Sequence, residues 1–417
     1  MHAEIIAVGS ELLDEPRPDT NSPFLAQVLR SIGYRLVRQS ILPDDLAMLA
    51  SALRDACSRS AVVICCGGLG STADDCTVDA AAMALGSPPV PDSRAEKRLR
   101  KWLRLRRRRI TKLHLRQTRR IASAAWLPNR LGTAWGQWCP TPRGCLVLLP
   151  GPPRELQPLV AESLLPRLAA NLGHACATRV LSIAGMTETE VEAAAAPIYS
   201  RHANLRTTIL ALGEPHVELH FHAWAHAASS AQRRADRLAR AIERRLGSAV
   251  FSRQRASLAS VVGRLLRARN QTLAVAESCT GGLLGQRLTA DAGASDYFLG
   301  GVVAYSNAAK HSLLGVPAST LARWGAVSAS TAIAMAAGVR LQFGASWGVS
   351  ITGIAGPGGG VPAKPVGTVF VGLAPPQGPA RAVRLRLAGD RAQIRNHSAQ
   401  TALNLLRLAL LGIPKRR

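Results

Sequence analysis

Short apolar runs alternate along the chain with segments whose apolar residues recur every three or four positions. This is the pattern of strands feeding amphipathic helices in an α/β protein. The run Glu4–Gly9 predicts a strand entering a loop. Beyond it Phe24, Leu25, Val28, Leu29 and Ile32 share one helical face, with Asn21 placed to cap the helix start and Gly33 its end. Residues 34–42 predict a second strand and 45–54 a second helix. Ala61–Cys66 is apolar on both faces, as a central parallel strand should be, and runs into a glycine-rich loop.

A second module begins near Ala177 with a βαββα-like order: strand 178–185, helix 187–200, a strand within 215–226 and helix 230–247. In its alternating strand Val217, Leu219, Phe221 and Ala223 point one way. His216, Glu218, His220, His222 and His226 point the other, which predicts a solvated polar face rather than a metal patch. A third module starts near Ser252. It predicts helix 258–269, strand Thr272–Ala276, a tight turn, helix Gly282–Leu288, a strand ending at Tyr305 and a helix over Ser328–Phe343. A strand running into the glycine loop 353–360, two more strands and a C-terminal helix follow.

A length of 417 residues implies two or three domains, and 47% apolar residues supply a large core. No apolar stretch reaches the roughly 18 residues of a membrane helix. The N-terminal run lacks a basic start and carries Glu4, which predicts no signal peptide and a cytoplasmic location. Eight cysteines occur without a CxxC pair and predict buried thiols. The 52 Lys and Arg against 26 Asp and Glu give a net charge of +26. The one dense basic run, Arg94–Arg120, interleaves Leu99, Trp102, Leu103 and Leu105 with its charges, predicting a helix with a solvated basic face. No RNP, GXXG or helix-turn-helix signature accompanies it, so nucleic acid is not the expected partner.

The chemistry concentrates where the strand ending at Ala276 meets Glu277, Ser278, Cys279, Thr280, Gly281 and Gly282. A strand that stops in a small-residue turn and re-enters as a helix exposes that turn at the carboxyl edge of its sheet, where open α/β sheets bind ligands. Free amides there suit an anion or a developing oxyanion. The turn therefore reads either as a nucleophile beside an oxyanion hole or as a phosphate loop with no covalent role. A serine hydroxyl needs a base. His311 is the near histidine, but no Ser-His-Asp pattern is visible. By spacing alone Lys310 reads as a surface residue; desolvated in a pocket, it would be a second source of a base.

The stretches AVAESCTGGLLGQRLT, GASDYFLGGVVAYSNAAKHSLLGV, WGAVSASTA, SITGIAGPGGG and KPVGTVFVGLA resemble the C-terminal domain of the CinA family, the competence/damage-inducible proteins, over residues 255–412. The resemblance implies a nicotinamide-nucleotide amidohydrolase that converts nicotinamide mononucleotide (NMN) to nicotinic acid mononucleotide and ammonia, without a cofactor. It places the nucleophile at Ser278, with Lys310 as base and Tyr305 as relay or orienter, and Cys279 as the lesser candidate. Substrate binding would fall to Glu277, Thr280, Gly281, Gly282, Asn307, Thr352, Gly353, Gly356, Gly358, Gly359 and Lys364, with 353–360 wrapping the phosphate through main-chain amides.

The N-terminal half carries three further motifs: VGSELLDEPRPDTN (8–21), CCGGLGSTADDCT (65–77) and LLPGPPREL (148–156). Together they resemble the molybdopterin-binding-like domain that opens full-length CinA proteins. In that family it is associated with a metal-dependent ADP-ribose pyrophosphatase. The implied nucleotide site comprises Glu11, Asp19, Asn21, Gly67, Gly68, Gly70, Thr72 and Gly151, with Asp74 and Asp75 holding a divalent cation such as Mg, Mn or Co. Ser71 replaces the family's usual proline, and GTAWGQW at 132–138 departs from GTAPG. The expected layout is a three-layer molybdopterin-binding-like domain at 1–170, a small α+β KH-like connector at 175–250 and the CinA α/β domain at 253–417, in a homo-oligomer, most simply a dimer.

Overall fold

The computed structural model of the protein describes residues 1–413 apart from 16, 73, 171–174, 203–204 and 212–215. It forms two compact units, one of residues 1–178 with 223–233 and the other of residues 179–222 with 234–417.

Six strands of the first unit make one sheet: β1 (His2–Val8), β2 (Arg35–Leu42), β3 (Val62–Cys66), β6 (Ala125–Leu127), β7 (Gly136–Thr141) and β8 (Gly144–Leu149). The intervening β4 (Pro89–Pro91) and β5 (Arg119–Ile121) pair only with each other. The order is β2-β1-β3-β8-β7-β6, parallel through β8 and antiparallel beyond it. Alternation in β1 explains the layering. Ala3, Ile5 and Ala7 pack with Leu25 and Leu29 of helix Asn21–Ser31. Ile6 and Val8 pack on the other face with Leu49 and Leu53 of helix Leu46–Arg59. The result is helix on sheet on helix. Buried Glu4 interrupts the alternation, and its carboxylate is met by Arg59 at 2.7 and 2.8 Å and by the Ser60 hydroxyl at 2.7 Å.

The expected cap of helix Asn21–Ser31 is one residue pair out. Asp19 Oδ1 accepts from the amides of Asn21 and Ser22, both at 3.0 Å, whereas the Asn21 side chain donates to the Gly151 carbonyl. The basic run folds as helix Ser93–Leu105, capped by Asp92, followed by the short helix Lys112–Arg116. Leu99 and Leu103 are buried while Leu105 is exposed.

A four-stranded sheet holds β9 (Ala175–Ala184), β10 (Leu205–Ala211), β11 (His216–Ala225) and β12 (Val250–Ser252) in the order β10-β11-β9-β12. Pro215, at the head of the expected strand, lies outside the described residues. The expected solvated face of β11 is wrong: Glu218, His220 and His222 are buried. His220 Nε2 lies 2.7 Å from Glu218 Oε2, and Arg255 approaches His220 Nδ1 at 3.3 Å. This mutual pairing is what lets polar groups stay out of water. Among the described residues no group of three or more His, Cys, Asp or Glu could hold a metal ion.

The last sheet holds β13 (Leu273–Glu277), β14 (Phe298–Val303), β15 (Trp347–Gly353), β16 (Thr368–Ala374) and β17 (Arg381–Arg386) in the order β14-β13-β15-β16-β17. The chain leaves β13 for a parallel neighbour on one side and returns to a parallel neighbour on the other. The strand order reverses at the carboxyl end of β13, the position at which such sheets bind ligands. Leu273 and Val275 pack toward helices Leu258–Arg267 and Arg391–Leu410, whereas Ala274 and Ala276 face Met335 and Val339 of helix Ala329–Gln342.

No helix among the described residues is long and apolar enough to cross a membrane, and all eight cysteines are free thiols.

Helix Ala329–Gln342 also backs helix Asn307–Leu314. At their contact Gly338 faces the Leu314 carbonyl oxygen so closely that a Cβ would collide with it. Gly338→Ala is expected to lower stability by about 1–3 kcal/mol through overpacking. The change should read out as a lower urea midpoint with an unchanged m-value.

Candidate active site

β13 delivers Glu277 and Ser278 to the sheet edge, and the Ser278 amide continues the ladder by donating to the Ile351 carbonyl at 2.9 Å. The turn then reverses direction through Gly281 and Gly282, with φ of +58° and +93°, values that favour glycine. Helix Leu283–Leu288 follows. Opposite, the Ser306 hydroxyl caps helix Asn307–Leu314, whose fourth residue is Lys310.

Lys310 is 1% exposed, and its Nζ lies 3.1 Å from Ser278 Oγ and 2.9 Å from the Ala304 carbonyl oxygen. Burial pushes the Lys310 ammonium below the usual lysine range, because the charged form loses its water. Nζ donates to the Ala304 carbonyl and sits within hydrogen-bond distance of the serine hydroxyl. Cys279 faces away into the apolar core, and burial pushes its thiol up to about 11. At neutral pH it is therefore an un-ionised thiol, a poor nucleophile. His311 gives its Nδ1 to the Val316 carbonyl at 2.8 Å and does not join the pair.

Accounting for the turn's amides narrows the oxyanion hole. The buried Glu277 carboxylate accepts from Gly282, Leu284 and Gly285 at 3.0, 3.1 and 2.8 Å. It caps the following helix and is occupied there. Gly281 donates to the Ser278 carbonyl and Leu283 to that of Thr280. Among the described residues the amides of Cys279 and Thr280 donate to no backbone or side-chain oxygen. They, and not the whole 278–282 turn, are the free donors beside Ser278. The Thr280 side chain is buried with an unpartnered hydroxyl.

Several sequence-predicted residues hold other posts. Tyr305 is 60% exposed, and its hydroxyl accepts from Arg391 at 2.9 Å; only its carbonyl approaches Lys310, at 3.5 Å. The side chain is no proton relay in this arrangement. The Thr352 hydroxyl is committed to the Ala326 carbonyl at 2.8 Å and Lys364 Nζ to that of Trp324 at 2.8 Å, so both brace loops. Gly353 belongs to the β15–β16 ladder, where a Cβ would meet the Val369 side chain. Asn307 is exposed at the first turn of its helix. Gly356, Gly358 and Gly359 lie in the loop after β15, and their amides make no hydrogen bond among the described residues.

Sequence reasoning missed two arginines. Arg391 donates to the Gly356 carbonyl at 2.7 Å as well as to Tyr305, and Arg395 donates to the Thr280 carbonyl at 2.7 Å. Their i, i+4 spacing after the cap Asp390 was the available signal: it puts both on one face of the C-terminal helix.

In the first unit the loops after β1, β3 and β8 meet around a cavity of about 840 Å³. Glu11, Asp19, Asn21, Gly67, Gly68, Gly70, Thr72, Asp74, Asp75 and Gly151 all line it, joined by Asp44 and Gln117 from outside the three motifs and by Glu155 from within the third. The divalent-cation reading of Asp74 and Asp75 does not fit. The Asp75 carboxylate is taken by the amides of Gly70 and Thr72, each at 2.8 Å, and by the Thr72 hydroxyl. Asp74 is exposed, and no cluster of three donor side chains forms among the described residues. Asp75 is a brace for the glycine loop, as is Arg116, which donates to the Thr72 and Asp75 carbonyls at 2.9 Å.

Comparison with known proteins matches two successive domains. The CinA C-terminal domain family matches residues 255–410 and a probable molybdopterin binding domain matches residues 4–170. A CinA-like protein of Solibacter usitatus is 40% identical over 413 residues, 99% of each chain. One of Koribacter versatilis is 44% identical over 420 residues, 99% of this chain and 100% of its own. The crystal structure of competence/damage inducible protein CihA from Agrobacterium tumefaciens shares 40% identity over 37% of this chain and 93% of its own, with a TM-score of 0.36. Relatives this similar from end to end establish that the chain belongs to the CinA-like, competence/damage-inducible family, with a molybdopterin-binding-like domain ahead of the CinA domain.

Proposed function

We propose that the CinA domain is a nicotinamide-nucleotide amidohydrolase acting through a Ser278–Lys310 dyad. The observation that carries the reading is the buried Lys310 amine 3.1 Å from Ser278 Oγ. Neutral Lys310 takes the Ser278 proton as Oγ attacks the carboxamide carbon of NMN. The tetrahedral oxyanion is met by the amides of Cys279 and Thr280. Collapse expels ammonia, protonated from Lys310, and leaves an acyl-serine. Water, deprotonated by the same amine, then releases nicotinic acid mononucleotide. Arg391 and the free amides of Gly356, Gly358 and Gly359 supply the positive potential for the 5′-phosphate.

For the N-terminal pocket we propose binding of a ribosyl nucleotide such as ADP-ribose. The size of the cavity and its three converging backbone loops support that reading. The pyrophosphatase activity tied to the family resemblance has no metal-binding side-chain cluster behind it among the described residues. Release of AMP from ADP-ribose by the full chain separates turnover from binding alone.

Ser278→Ala is expected to cut ammonia release from NMN by about 10³-fold or more, while Cys279→Ser keeps most of it. The reverse result moves the nucleophile by one residue. Lys310→Met is expected to lose about 10²–10⁴-fold, the usual worth of a positioned base. Lys310→Arg should be equally inactive at every pH, since a guanidinium keeps its proton.

The pH dependence follows from the lowered Lys310 pKa. Activity should rise with pH along a limb whose apparent pKa lies below the ordinary lysine value of about 10.4. Below the folded pKa both folded and unfolded chains hold the proton, and burial of the charge destabilises the fold. As pH climbs from the folded toward the unfolded pKa, the unfolded state binds more protons and stability rises. Lys310→Met should therefore raise the melting temperature at neutral pH while abolishing activity. A fall in both would show that the amine is chiefly structural.

Arg391→Ala is expected to weaken NMN binding by about 10- to 100-fold, the range of a charge-assisted hydrogen bond. Nicotinamide riboside, which lacks the phosphate, should be little affected. Equal loss for both substrates would remove Arg391 from phosphate recognition.

A further inference from the structure

A second, smaller polar cavity adjoins the N-terminal pocket. Gln117, Arg119 and Trp135 line it, and it shares Gly68, Gly70 and Asp75 with the large cavity. It has room for one water-sized group, about 10 Å³, where a single water needs roughly 10–15 Å³.

Each of the three side chains carries a buried polar atom without a hydrogen-bond partner: Gln117 Oε1, Arg119 Nε and Trp135 Nε1. The rest of each side chain is fixed. Gln117 Nε2 donates to the Leu69 carbonyl at 3.2 Å. The two terminal nitrogens of Arg119 grip Asp79 at 2.8 and 2.9 Å. The Trp135 ring stands edge-on to Trp126 at 5.5 Å, with the Arg98 guanidinium 4.9 Å from its centroid. None of the three can readily swing away to find a partner elsewhere. Orphaned polar atoms in native structures are rare and costly, and three around one small cavity point to a missing group.

The orphaned atoms sum to one acceptor and two donors. Their complement is a group with one donor and two acceptors, which is a hydroxyl. A carboxylate or phosphate oxygen would leave Gln117 Oε1 unmet, and an ammonium would leave both N–H groups unmet. We propose that Gln117, Arg119 and Trp135 form a subsite that seats one hydroxyl of a ribosyl ligand lying in the large pocket; this rests on the reading of that pocket as a ribosyl-nucleotide site. Trp135 occupies the proline position of the GTAPG pattern. Proline has no side-chain donor, so this N–H is a specificity feature of this chain.

The test uses the full chain with ADP-ribose and ribose 5-phosphate as probes. Calorimetry on wild type, Trp135→Phe and Gln117→Met, together with a crystal structure of the ADP-ribose complex, reads the outcome. Trp135→Phe keeps a ring but removes the donor, and it is expected to weaken binding about 3- to 10-fold, the worth of one neutral hydrogen bond. In the complex a ligand hydroxyl oxygen should lie within hydrogen-bond distance of all three orphaned atoms. A water retained there beside bound ligand overturns the proposal, as does unchanged affinity in both variants. Failure of both probes to bind wild type overturns it too. Binding without AMP release counts against the pyrophosphatase reading alone and leaves the hydroxyl subsite standing.

Discussion

The CinA domain is organised around one desolvated amine. Lys310 is almost fully buried, yet among the described residues no carboxylate pairs with it; its nearest partners are a carbonyl and a hydroxyl. An ammonium in such surroundings is penalised for the water it has lost, whereas a neutral amine is satisfied by the same two neighbours. The burial that costs stability is what would prepare Lys310 for the base role proposed above. It also depends on packing at a distance, because the helix that carries Lys310 is held in place by the close approach of Leu314 to Gly338.

The nucleophile turn separates structure from chemistry within a few residues. Glu277 spends its carboxylate on three amides at the start of the next helix. That interaction locks the turn and, by using those donors, leaves the amides of Cys279 and Thr280 for a developing negative charge. Strand alternation does the rest. Ser278 faces the amine, and its neighbour Cys279 is turned into the core, where the thiol keeps its proton. The two reactive-looking side chains are thus distinguished by direction as much as by chemistry.

Both candidate sites follow the same architectural rule, since each lies at the carboxyl ends of parallel strands. They differ in what they present. The edge near Ser278 gathers arginines and free loop amides suited to an anion. The N-terminal cavity is lined with carboxylates, of which Asp19, Asp44 and Asp75 are committed to bracing backbone amides. Asp75 shows how an acidic pair in a glycine loop can look like a metal ligand while serving as the clasp that shapes the loop.

The α/β class and the Ser278 turn at a sheet edge were legible in the residues, because strand-turn-helix periodicity is local, and Lys310 came in as Ser278's partner through the resemblance to the long, ordered CinA motifs. All ten N-terminal candidates do converge on one cavity. What the chain could not reveal was how hydrogen-bonding capacity would be spent. Tyr305 turned to Arg391, Thr352 to Ala326 and Asp75 to its own loop, while the histidine face of β11 went under cover through Glu218 and Arg255. Each of those choices joins groups far apart in sequence or sets a direction that spacing alone leaves open. Periodicity decides which face a residue occupies; only the assembled fold decides which neighbour uses its donors and acceptors, because that depends on distances no local pattern contains.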